Sequence, residues 1–185
     1  MSDSLALLEV SSLARGVVVA DAVVKRAPVE LLECGPVSPG KYLVLFAGGV
    51  AEVEEAAAAG AEAAGDSLFD RLVLPQADAQ LLPALRAGAR GSAHELLTDA
   101  AGVVELLSVA AALRSADAAC KTAAVRLQLL HLARGIGGKA WFVLRGDLES
   151  VEAAVLAATL AAGVGLLAGA EIIAAPHADL RGRVL

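Results

Sequence analysis

Residues Ala6 to Val29 and Gly102 to Val125 repeat one another, setting Glu9 against Glu105, Ser12 against Ser108, Asp21 against Asp117, Lys25 against Lys121 and Ala27 against Ala123. After a shift of two residues in the offset, Pro39-Gly40-Lys41 aligns with Gly137-Gly138-Lys139, Gly48 with Gly146, Val53-Glu54 with Val151-Glu152, and Ala64-Gly65 with Ala162-Gly163. A tandem duplication restricts the chain to two copies of one fold that differ mainly in their loops. The chain has 185 residues. Half that length builds one small core and is marginal alone, so the copies are expected to bury surface against each other and against further copies.

Composition narrows the partners. Hydrophobic residues make up 57% of the chain and aromatics only 3%, the excess being mostly Ala, Val and Leu. Such small side chains suit helices pressed closely on sheets, or flat faces between subunits. A net charge of −6 without a basic cluster argues against nucleic acid, whose affinity rests on neutralising phosphates with Lys and Arg. MSDSLALLEV has no basic start and is interrupted by Glu9, so no secretory signal is expected and the cytoplasm is the expected location. Cys34 and Cys120 stand at non-equivalent places in the repeats, which does not support a duplicated disulfide or metal framework. Reduced, partly buried thiols are expected, with Cys34 a small buried hydrophobe. The uncharged stretch Ala153 to Ala170 reaches the lower bound for a membrane span. Its counterpart carries Glu52, Glu54, Glu55 and Glu62, and Gly163, Gly165 and Gly169 interrupt it, so no lipid membrane is expected as a partner.

The local patterns divide each copy into the same elements. Apolar runs at Ser4 to Val10 and Gly102 to Leu106 suit buried strands. Ala14 to Ala27 and Ala110 to Ala123 are amphipathic helices in which Asp21 and Asp117 precede Lys25 and Lys121 by four residues. Strand pairs follow at Val29 to Cys34 with Lys41 to Ala47, and at Val125 to Leu132 with Ala140 to Arg145, around Gly-containing turns at residues 35–40 and 134–138. Second helices run from Val50 to Ala64 and from Leu148 to Ala162, and last strands from Leu68 to Leu74 and Leu166 to Ala174. A further helix at Ala77 to Leu85 is attached to the first half. The fold class is therefore α+β, with helices packed on an antiparallel-rich sheet twice over. The expected domains are residues 4–87 and 100–185, joined by a polar linker at 88–99 that contains His94.

These signatures resemble a family: the tandem-domain shell proteins of bacterial microcompartments, of the kind found in propanediol-utilisation compartments. LLEVSSLARGVVVADAVVKRAPVELL, VVELLSVAAALRSADAACKTAAV, GIGGKAWFVLRGDLESVEAAV and the closing Ala175-Pro176-His177 carry the resemblance, which spans nearly the whole chain. It implies a homotrimer shaped like a hexagon, which tiles with other microcompartment shell proteins, both hexamers and pentamers, and passes small metabolites through a central pore. The resemblance places Lys25, Lys121 and His177 at tile edges. It places Pro36, Val37 and Ser38 on the pore, alternating with Arg134, Gly135, Ile136, Gly137 and Gly138. Arg134 facing inward would favour anions. Some relatives carry a cysteine in the first tip, where three chains hold an iron-sulfur cluster. Here that position is Ser38, a poor substitute for a soft thiolate, so no cofactor is expected.

No enzyme is expected. His94, His131 and His177 share no ligand-like spacing, so no metal site is assigned. GIGGK lacks the spacing and the following Ser or Thr of a phosphate-binding loop. Two alternatives remain from the residues: a cytosolic trimer that binds a small molecule or regulates, and an electron-transfer shell subunit that uses Cys34.

Overall fold

The computed structural model describes residues 4–87 and 100–180. The chain forms two compact units, the first ending at Ala79 and the second beginning at Gln80. Unit one runs β1 (Ser4–Val10), α1 (Leu13–Arg26), β2 (Glu30–Val37), β3 (Lys41–Gly48), α2 (Val50–Ala64) and β4 (Leu68–Leu74). Unit two repeats this as β5 (Ala100–Leu106), α4 (Val109–Thr122), β6 (Arg126–Leu132), β7 (Ala140–Gly146), α5 (Leu148–Ala161) and β8 (Leu167–Ile173), preceded by the short α3 (Leu81–Ala87). The expected elements are all present, with ends that move by a few residues.

Each unit holds one four-stranded antiparallel sheet, ordered β2-β3-β1-β4 in the first and β6-β7-β5-β8 in the second. The irregularities are duplicated as well. Pairing slips at Glu9/Val10 and again at Glu105/Leu106, and at Leu31/Glu33 and again at Leu127/Leu129. Bulges that recur at equivalent residues are built features of the repeat.

In unit one, Ala6, Leu8 and Val10 of β1 and Val44 and Phe46 of β3 form one core with Val19 and Val23 of α1 and Val53, Ala56 and Ala57 of α2. Alternate strand residues supply that face, as the two-residue period of a strand requires. The helices come close because the contact residues are small. A Cβ on Gly60 would run into Leu8 and Val23. In unit two, a Cβ on Gly102 would lie 2.6 Å from Val155 Cγ2, so here the small residue sits on the strand.

Helix α3 departs from the sequence reading. The local pattern attaches it to the first half, but it packs on β6 and α4 of unit two. The Gln80 side chain explains this: Nε2 donates to Val125 O at 2.9 Å and Oε1 accepts from Leu127 N at 2.9 Å. Strand β6 is an edge strand, and the amide satisfies main-chain groups that an edge leaves open. The linker at 88–99, with His94, lies outside the described residues. Among the described residues, no helix is long and apolar enough to cross a membrane.

Candidate pore tips and tile edge

The first hairpin turns over residues 38–40, between β2 and β3. Its peptide bond Ser38–Pro39 is cis and Gly40 has φ +70°. Ser38 is exposed at the tip. The sequence places Pro36 and Val37 in this turn; instead they belong to the ladder, opposite Tyr42 and Lys41. Pro36 is tolerated there because β2 is an edge strand, where a residue without an N–H costs no ladder bond. Val37 is buried.

The second tip is two residues longer in sequence and is held by its own backbone. Ala133 N donates to Lys139 O at 3.0 Å and Lys139 N to Ile136 O at 3.4 Å. Gly135, Gly137 and Gly138 all have positive φ, as does Ala133 at +50°. Glycine suits the first three because the left-handed region costs it nothing. His131 Nε2 donates to Arg134 O at 2.8 Å, since a carbonyl only accepts. This bond ties the tip to β6 and leaves the Arg134 side chain exposed. The ring of His131 is tilted against Trp141.

Both hairpins are anchored by an ion pair that the sequence reading did not form, although both partners stand in its aligned positions. Lys41 Nζ lies 3.0 Å from Glu9 Oε2, and Lys139 Nζ 2.9 Å from Glu105 Oε1. A signal for it exists in the repeat: Glu9 and Lys41 recur together as Glu105 and Lys139. In the first pair Glu9 is buried and Lys41 is 15% exposed, and Lys41 also sits 3.4 Å over the ring of Phe69. By strand register, the counterpart of Phe69 is Ala168. Without an aromatic cover, the second pair is about 42–43% exposed. Removing one partner of a buried pair leaves an uncompensated charge, so Glu9 and Lys41 are coupled more strictly than Glu105 and Lys139.

Cys34 is exposed, not buried as expected. The cause is again the edge position of β2, whose outward residues meet solvent. Its Sγ is 3.5 Å from Tyr42 Oη, and that hydrogen bond, with burial, raises the Tyr42 phenol above its ordinary value. Cys34 therefore sits on the strand, four residues before Ser38. Cys120 is buried. Among the described residues, no group of three or more His, Cys, Asp or Glu is placed to hold a metal ion.

The equivalent lysines adopt equivalent geometry. Lys25 Nζ lies 2.6 Å from Asp21 Oδ2, and Lys121 Nζ 2.7 Å from Asp117 Oδ2. Both pairs span one helical turn, and both lysines end their helix where a cation meets the negative end of the helix dipole. His177 follows β8 and is exposed, with Nδ1 accepting from Asp179 N at 3.3 Å.

Comparison with known proteins agrees with this duplicated architecture. The BMC domain model matches twice, at residues 4–77 and 100–176. The microcompartment shell protein PduT of Citrobacter freundii is 41% identical over 181 residues, covering 97% of this chain and 96% of that protein. A crystal structure of a microcompartments protein from Desulfitobacterium hafniense superposes with a TM-score of 0.88 at 41% identity, covering 97% of this chain and 98% of the other. A fused permuted hexameric shell protein from the RMM microcompartment shares the fold at a TM-score of 0.62 and 22% identity, over 86% and 83% of the two chains. With two matched domains that together span most of its length, this chain belongs to the BMC-domain family.

Proposed function

We propose that this chain is a structural tile of a microcompartment shell: three copies close into a pseudohexagonal ring that stands in the shell beside other shell proteins, with the hairpin tips around a central passage for small metabolites. The chemistry belongs to enclosed enzymes, and the location is the shell within the cytoplasm. Near full-length similarity to a shell protein, with two BMC domains in tandem, carries the reading. Ser38 and residues 134–138 line the passage in this reading, with Pro36 and Val37 behind them on the strand. Lys25, Lys121 and His177 meet neighbouring tiles. The family match supports residues 4–77 and 100–176 as the two shell domains.

The first helices of the two repeats support ring closure. On α1, Leu13, Val17 and Val24 are 47%, 58% and 43% exposed, whereas Val109, Leu113 and Cys120 at the same places on α4 are 1%, 0% and 9% exposed. One fold, used twice, thus has an apolar stripe that is covered in one copy and bare in the other. The unit that covers the stripe also carries α3, which packs on α4; on α1 the stripe stays bare, and an exposed apolar stripe of this kind marks a surface that a further chain would cover.

Native mass spectrometry tests this. The wild-type chain is expected as three copies, and Val17→Asp, which buries an unpaired charge in the proposed contact, as one. A wild-type protein that stays single at every concentration would refute the ring.

A further inference from the structure

The register that equates Leu68 with Leu167 and Leu74 with Ile173 also equates Gln80 with Asp179 and Leu81 with Leu180. The segments after β4 and β8 follow the same course: each leaves its strand through a two-residue bend and turns helical a few residues on, at α3 and at the single turn Ala178–Leu180. Their surroundings differ. Leu81 is fully buried where α3 packs on β6 and α4, and Gln80 clips the edge of β6 at Val125 O and Leu127 N. Asp179 and Leu180 are exposed.

The surface that receives α3 is duplicated as well. Val29 and Leu31 stand on β2 where Val125 and Leu127 stand at β6, and each stretch is set by the same main-chain bond, Val29 N to Ala27 O at 2.9 Å and Val125 N to Ala123 O at 2.8 Å. Both β2 and β6 are sheet edges, and an edge offers main-chain groups for a further segment to pair. Beneath α3, Leu127 is 7% exposed, whereas Leu31 is 39% exposed. Val24 is likewise bare where Cys120 is covered. Unit one thus presents the seat uncovered, and unit two ends in a seating segment that covers nothing in its own chain.

We infer that Ala178–Leu180 of one copy docks on the β2 edge and the end of α1 of a second copy, as α3 docks on β6 and α4. The repeat fixes the occupant: β6 and α4 receive the segment that follows the last strand of the preceding repeat, and the repeat that precedes β2 in a ring belongs to another chain. A head-to-tail contact of this kind closes into a ring. The inference deepens the ring reading and rests on it. One residue separates the two seats. The Gln80 amide donates and accepts, whereas the Asp179 carboxylate only accepts. It takes the Leu31 N–H and offers nothing to Val29 O, so the contact between copies has one side-chain bond where the contact inside unit two has two.

Hydrogen exchange read by mass spectrometry, with the ring's dissociation followed by sedimentation, tests the docking. Leu180 is exposed in the single chain, so Leu180→Asp leaves the fold of each copy unchanged. The peptide Val24–Leu31, distant in sequence, is expected to exchange about tenfold faster in this variant than in the wild-type ring, and the ring is expected to fall apart at a concentration about tenfold higher. Asp179→Gln supplies the missing donor and is expected to lower that concentration about fivefold. Equal exchange of Val24–Leu31 in wild type and Leu180→Asp, or an Asp179→Gln ring no firmer than wild type, overturns the docking and leaves the ring standing. Single chains throughout overturn the ring and the docking with it.

Discussion

Ser12 and Ser108 occupy one place in the two repeats and act alike, each hydroxyl accepting the main-chain N–H three residues on, from Arg15 and from Ala111, and so starting α1 and α4. Asp147 starts α5 in the same way, accepting from Ser150 N at 2.9 Å and Ser150 Oγ at 2.8 Å. The backbone bond, and then the hydroxyl bond, hold its carboxyl below the ordinary value of 3.8. A carboxyl lowered on folding stabilises above its unfolded pKa and loses that contribution as pH falls through the folded one. Stability measured by urea unfolding should therefore fall on acidification below about pH 4, and Asp147→Asn should make that fall shallower. An identical acid limb in the variant would show that the cap does not contribute. The aligned residue before α2 is Gly49, which makes no side-chain cap, so duplicated helices need not share a start signal.

At the scale of elements, close approach decides which residues are tolerated. Gly60 lies where α2 meets α1 and β1, and a larger side chain there must displace Leu8 and Val23. Gly60→Val is expected to lower stability by about 3 kcal/mol through overpacking, against less than about 0.5 kcal/mol for Ala58→Val on the exposed side of the same helix. Denaturant midpoints of the two variants distinguish them; equal losses would mean that the helix interface yields freely. Strand and helix identities were legible because hydrophobic periodicity is local. The tips were less so. Composition marks residues 35–40 as a turn, but the strand pairing of β2 with β3 draws Pro36 and Val37 into the ladder and leaves a tip of residues 38–40. An edge strand accepts proline, so proline by itself did not mark the end of pairing.

For the whole molecule, the proposed tile depends on edges as well as on closure. Lys25→Ala together with Lys121→Ala is expected to preserve the three-copy ring and impair lateral assembly, seen by electron microscopy as loss of hexagonal sheets or tubes. Sheets formed as readily by the variant would confine both lysines to their helical pairs with Asp21 and Asp117. The sequence could name these lysines by their matching places in the repeat. The four-residue spacing also names Asp21 and Asp117 as their partners, and the structure closes both pairs, at 2.6 and 2.7 Å.

Duplication, the order of elements, the shared caps and the family were all determined by the chain's own pattern, since each rests on residues close in sequence or on comparison of one copy with the other. Tertiary structure decided what distant residues do to one another. It assigned α3 to the second unit through the Gln80 amide, exposed Cys34 on an edge strand, sealed Lys41 between Glu9 and Phe69, and covered on α4 the stripe that stays bare on α1. Burial is a property of neighbours, and two stretches of nearly the same sequence acquire different neighbours once the chain is folded.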